Sequence, residues 1–149
     1  MSHESENPIL STTLRGKGFS LSTVSQDHLA HLHKWDSDIT SLYLWTGRRN
    51  PLSEIGYREF VASRSKEGHF LIIHNANGTP LGFIYSYDTN FTDGFLFITI
   101  FIDPSSRGKG FGAKAGVLFT DYLFAYYPLR KIYCDVFDYN HESLSAIRK

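Results

Sequence analysis

One segment limits the possible folds more than any other. The chain reads Arg107-Gly108-Lys109-Gly110-Phe111-Gly112 directly after an apolar, strand-like run, Phe95 to Ile102. It then continues with apolar positions Ala115, Leu118 and Tyr122 at helical spacing, and Pro128 closes that stretch. Lys131 to Phe137 follows as a second apolar run. Strand, glycine loop, helix, strand is a crossover connection, which predicts that the two strands are parallel and neighbouring. With three glycines among Gly108 to Gly112, the backbone can turn tightly and approach a ligand closely. Free N–H groups at the start of the helix, its dipole, and the charges of Arg107 and Lys109 together suit an anion such as a phosphate or pyrophosphate. The plainer alternative is a glycine-rich turn with two solvated cations.

Two other phosphate-binding patterns fit poorly. A P-loop needs Lys followed by Ser or Thr after its glycine, whereas Gly110 is followed by Phe111-Gly112. A dinucleotide fingerprint spaces its glycines G-x-G-x-x-G after a first strand, but here the spacing is G-x-G-x-G, late in the chain.

Upstream, Phe19 to Val24 alternates as a first strand, and residues 1–12 read as a flexible tail. Ser25-Gln26-Asp27 opens a helix carrying Leu29, Leu32 and Trp35. Pro51-Leu52-Ser53-Glu54 opens another, with Ile55, Phe60 and Val61 as its apolar positions and Gly68 near its end. Phe70 to Ile73, Leu81 to Tyr87 and Phe95 to Ile102 then form an antiparallel meander. Its turns are Asn75-Ala76-Asn77-Gly78 and Thr92-Asp93-Gly94. A share of 15% aromatic residues supports a sizeable sheet. At 149 residues and 42% hydrophobic, the chain suits one domain with a real core.

Composition also excludes partners. Fifteen basic residues balance fifteen acidic ones, so bulk charge argues for neither nucleic acid nor an anionic membrane. No apolar run approaches the ~20 residues of a spanning helix. The single cysteine, Cys134, reads as a buried small residue of a strand, and no Cys/His cluster has zinc spacing, so no metal is expected. His28, His31 and His33 do not form a helical metal pair. A reducing, cytoplasmic setting is expected.

Arg107-x-x-Gly110-x-Gly112 resembles the Q/R-x-x-G-x-G/A acyl-CoA loop of the GNAT acetyltransferases. Ile100-Phe101-Ile102-Asp103-Pro104 is similar to the end of that family's fourth strand and the proline after it. Val136 to Ser143 resembles the V-x-x-x-N-x-x-S pattern of the RimJ/RimL-like branch, with Asn140 and Ser143 at its polar positions. Gly78-Thr79-Pro80-Leu81-Gly82 and the Pro51-Leu52-Ser53 helix start match the same branch.

The resemblance implies an α+β fold, with a central, mixed, mostly antiparallel sheet flanked by helices, over residues 13–149. It implies N-acetyl transfer from acetyl-CoA to a small-molecule amine or a protein N-terminus. Main chain at Ile100, Phe101 and Ile102 would bind the pantetheine arm, and Gly108, Lys109, Gly110, Phe111 and Gly112, with Arg107, the pyrophosphate. Asn140 would anchor the cofactor or substrate, or else cap a helix. Ser143 would be the general acid, or an exposed first-turn serine. Trp45, Arg48 and Arg49 would bind the acceptor, or else form an ordered aromatic loop with surface arginines.

The general base has no obvious bearer. Phe95 to Thr99 holds no acid where relatives place a glutamate, the relatives' usual tyrosine position is Ile147, and Asp93 reads as a turn residue. The family normally continues past the position of Lys149 with a final pair of strands. Their absence here implies a C-terminally truncated domain whose unpaired sheet edge favours a homodimer. A non-catalytic CoA-binding or scaffolding protein of the same fold, and a binder of another nucleotide, are the alternative readings.

Overall fold

The computed structural model describes residues 13–36 and 53–134. Strands β1 (Thr13–Gly16) and β2 (Phe19–Thr23) precede a single 3-10 turn (Gln26–His28) and helix α1 (Leu29–Asp36). Helix α2 (Glu54–Glu67), strands β3 (Phe70–Asn75), β4 (Pro80–Asn90) and β5 (Phe95–Ile102), helix α3 (Phe111–Tyr126) and strand β6 (Lys131–Cys134) follow. The strands form one six-stranded sheet in chain order, β1 to β6. Every neighbouring pair is antiparallel except β5 and β6, which run parallel across the α3 crossover. The meander and the parallel crossover both stand as expected. β1 was not anticipated: Gly16 faces Phe19 across the turn residues Lys17-Gly18, with Gly18 at φ +82°, so a hairpin precedes the expected first strand.

The sheet is covered on both faces, which explains why Phe70-Leu71-Ile72-Ile73 is an unbroken apolar run, all of it buried. Leu71 and Ile73 join Leu96, Ile98, Ala115, Phe119 and Leu123 under α3. Phe70 and Ile72 point the other way, with Leu32, Trp35, Val61, Phe83, Tyr85 and Phe101 beneath α1 and α2. The expected buried positions Leu32, Trp35 and Val61 are confirmed, but Ile55 is 71% exposed.

The helix starts follow local chemistry. Ser25 and His28 form a reciprocal capping box before α1, and the Ser53 hydroxyl accepts the Gly56 N–H at 3.0 Å to cap α2. Gly82 lets β4 and β5 close tightly: a Cβ there would lie 1.9 Å from the Phe101 carbonyl oxygen.

Candidate active site

The site is built where β5 ends. The Asp103 N–H donates to the Leu81 carbonyl at 2.7 Å, so Asp103 still turns its main chain toward β4. Main-chain direction alternates along a strand, so Thr99 and Phe101 also face β4, while Ile98, Ile100 and Ile102 face the opposite edge. The pairing of β5 with β6 is described up to Ile98 opposite Cys134, and β5 runs on to Ile102. Among the described residues, no strand pairs with the main chain of Ile100 and Ile102 on the side away from β4. Their side chains hold the end of β5 against α3: a Cβ on Gly112 would lie 3.4 Å from Ile102, and one on Gly116 would lie 3.2 Å from Ile100. Small residues at these positions bring the helix onto the strand.

Phe101 differs from its neighbours. Its ring is buried on the α1 face, 5.6 Å from that of Trp35, and its main chain faces β4. Of the three residues expected at the pantetheine arm, Phe101 thus presents neither ring nor main chain to the side of β5 away from β4.

After Asp103 comes a 3-10 turn, Pro104–Ser106, then extended Arg107 and the glycine loop. Gly108 and Gly110 sit at φ +83° and +84°, a left-handed conformation that side chains disfavour. A Cβ at Gly108 would meet nothing within 4 Å, and one at Gly110 would meet only the Lys114 side chain at 4.0 Å. Helix α3 begins at Gly110 with no side-chain cap, and its Lys114 N–H bonds the Gly110 carbonyl at 3.0 Å. The N–H groups of Phe111, Gly112 and Ala113 come before that first helical bond. They carry the positive end of the helix dipole into open space, with exposed Lys109 and Lys114 alongside. A pyrophosphate fits this cradle in shape and charge.

Arg107 is anchored to the end of β5 and to the ring beside it. Its Nε donates to the Ile102 carbonyl at 2.8 Å, and its guanidinium lies 5.6 Å from the Phe101 ring centre. Beside it, Asp103 accepts from the Trp35 indole N–H at 3.0 Å through one oxygen. Through the other it accepts from the Ser105 N–H at 3.1 Å and the Ser105 hydroxyl at 3.2 Å. Burial opposes charge on Asp103, but the bonds from Trp35 and Ser105 and the nearby Lys34 outweigh it and hold the carboxyl below its ordinary range. Sequence reasoning missed this linkage, because nothing local relates residues 68 positions apart.

Trp45, Arg48, Arg49, Asn140 and Ser143 lie outside the described residues. Asp93 is a turn residue, as expected: its N–H bonds the Asn90 side chain at 2.9 Å and its carbonyl accepts from Arg130. It also sits at the start of β5, roughly 25 Å of strand from Ile102. Cys134 is exposed rather than buried, because β6 is the last strand of the described sheet.

The histidines form a pair that the sequence did not reveal. The Ser25 N–H donates to His28 Nδ1 at 2.9 Å, so the neutral His28 ring carries its proton on Nε2, which lies 3.1 Å from His74 Nε2. A metal on His28 Nε2 would need that proton on Nδ1, where the Ser25 N–H already points, so the two rings form a hydrogen-bonded pair. Among the described residues, no group of three or more His, Cys, Asp or Glu side chains could hold a metal ion.

This fold and site define a class: an α+β scaffold whose uncapped, glycine-led helix start offers a cradle suited to a phosphorylated ligand. Residues 19–149 match the acetyltransferase (GNAT) domain family, and the chain belongs to that family. No curated protein matches it significantly. Among solved structures, it resembles spermidine N-acetyltransferase from Vibrio cholerae in complex with CoA and spermine. The two are 18% identical with TM-score 0.79, over 89% of this chain and 79% of that one. It also resembles the Salmonella typhimurium acetyltransferase that modifies the N-terminal serine of ribosomal protein L7/L12. There the identity is 13% and the TM-score 0.78, over 91% and 82% of the two chains. A RimL ribosomal L7/L12 alpha-N-protein acetyltransferase in complex with coenzyme A gives 14% identity and TM-score 0.80, over 91% and 81%. No helix among the described residues is long and apolar enough to cross a membrane.

Proposed function

We propose that this chain transfers an acetyl group from acetyl-CoA to a primary amine by direct attack within a ternary complex. The observation that carries the reading is the juxtaposition at the end of β5. The end of β5, where the main chain of Ile100 and Ile102 has no partner strand among the described residues, adjoins the uncapped start of α3 behind two left-handed glycines. Amides from Gly108 to Gly112 hold the pyrophosphate, and the edge of β5 pairs with the pantetheine arm. Acetyl-CoA supplies the activated acyl group.

An amine attacks only when unprotonated, and alkyl amines have a pKa of about 10.4 against about 8 for an α-amine. The site must therefore draw off a proton and hold the charge that develops on the acyl oxygen. The N–H of Ile102 or Ile100 faces the edge where that oxygen would sit. The Ile102 carbonyl is already engaged by Arg107. Alignment of the two substrates supplies much of the remaining acceleration. Asn140 and Ser143 complete the cofactor side in this reading, with Ser143 protonating the leaving thiolate, and Trp45, Arg48 and Arg49 receive the acceptor. A chain whose single cysteine is Cys134 fits a reducing compartment such as the cytoplasm.

The acceptors of the similar structures set the panel: spermidine, spermine and a peptide with N-terminal serine. Thiol release from acetyl-CoA with one of these amines is the expected result. CoA binding without release from any of them would favour a non-catalytic CoA-binding protein. Failure to bind CoA at all would overturn the reading.

A further inference from the structure

The bonds of Asp103 and Arg107 join three parts of the chain that are remote in sequence. Trp35 closes α1, Asp103 follows β5, and Arg107 leads into the glycine loop. The Trp35 indole is 4% exposed, and a buried N–H must find an acceptor or lose a bond it had in water. Its acceptor is the carboxylate that also caps the 3-10 turn leading to the loop. A charged acceptor makes each of these bonds stronger than a neutral one would. The Phe101 ring lies against both Trp35 and Arg107, and Arg107 in turn fixes the Ile102 peptide at the end of β5. α1, the end of β5 and the start of the loop thus form one bracket.

We propose that Trp35 and Asp103 are positioning residues for acyl-CoA binding: their hydrogen bond aims the Gly108–Gly112 amides from a distance. The proposal rests on the acetyl-CoA reading above. The physical reason is that a cradle of backbone amides has no side chain to adjust. Its fit is set by how the loop is anchored, and the loop's N-terminal anchor is Asp103.

The test is calorimetric titration of CoA into the full chain and into Trp35→Phe, Asp103→Asn and the double variant. All are confirmed folded by circular dichroism at the temperature used. Trp35→Phe keeps a ring in the core but removes the N–H. Asp103→Asn keeps the shape but can no longer accept from both Trp35 and Ser105. Each single variant is expected to weaken CoA binding by about three- to tenfold, the scale of one charge-assisted bond only partly transmitted. The double variant should fall short of the product of the two single effects, because the bond between Trp35 and residue 103 can be lost only once. Ser53→Ala, which loses a helix cap remote from the loop, controls for stability alone and should bind CoA as the wild type does. CoA binding within twofold of wild type in the single variants, or effects that multiply in the double, would overturn the proposal while leaving the acetyl-CoA reading intact. If Trp35→Phe fails to fold, the half-buried Asp103→Asn decides on its own. A wild-type chain that does not bind CoA overturns the acetyl-CoA reading, and this inference falls with it.

Discussion

Replacing Gly110 with tryptophan separates binding from stability, because the structure supplies a matched control. Gly110 and Gly78 share φ +84°, and around both a side chain would have room. Gly78 turns the β3–β4 hairpin, while Gly110 opens α3. Any L-residue at either position is forced into the left-handed region, at a cost of about 1–2 kcal/mol. In a domain of this size, that lowers the melting temperature by roughly 2–6 °C in both variants. Only at Gly110 does the side chain enter the space before the α3 amides. Losing two charge-assisted bonds there, at about 1.5–3 kcal/mol each, predicts at least a ~100-fold loss of CoA affinity. Calorimetry with CoA reads the affinity, and differential scanning fluorimetry reads the stability. Gly78→Trp should bind CoA as the wild type does. The reasoning is refuted if Gly110→Trp retains CoA affinity within threefold, or if Gly78→Trp loses it equally.

Other perturbations follow from the same geometry. His28, His69 and His74 are each held below the ordinary histidine pKa, first by burial and, for His28 and His74, also by charge on neighbouring histidines. The folded state then binds fewer protons than the unfolded chain below about pH 6.5, so stability should be full above that pH and fall as it drops further. Melting temperatures from pH 8 to pH 5 would show this decline, and a flat or rising profile would count against it. Gly82→Ala should cost at least ~2 kcal/mol by urea denaturation, because the obstructing atoms, the Phe101 oxygen at 1.9 Å and Ile102 Cα at 2.9 Å, are backbone and cannot rotate away. Ser53→Ala should cost about 1 kcal/mol by the same assay, through loss of the cap on the Gly56 N–H.

The parallel crossover, the meander and the glycine loop were all legible in the sequence, because each rests on short-range physics. Periodicity separates strands from helices, Asn-Gly and Asp-Gly steps make turns, and Pro128 cannot continue a helix. β5 was read to its observed bounds because turn chemistry closes one end and Asp103-Pro104 the other. The hairpin strand β1 escaped notice because four residues of mixed character form a strand only once β2 offers a partner. Cys134 was misplaced because burial of an apolar residue depends on which strand lies last in the sheet, and the strand's own residues do not record that.

The sequence by itself determined that a glycine-led turn joins a strand to a helix, since glycines at 108, 110 and 112 act on their own backbone. Only the tertiary structure decided what surrounds that turn. Strand register turned the main chain of Phe101 toward β4 and that of Ile100 and Ile102 to the opposite side. Packing of α1 on the sheet brought Trp35 to Asp103 and gave Arg107 a carbonyl to hold. Backbone conformation is a property of neighbouring residues, whereas a hydrogen bond between residues 35 and 103 exists only after the chain has folded back on itself.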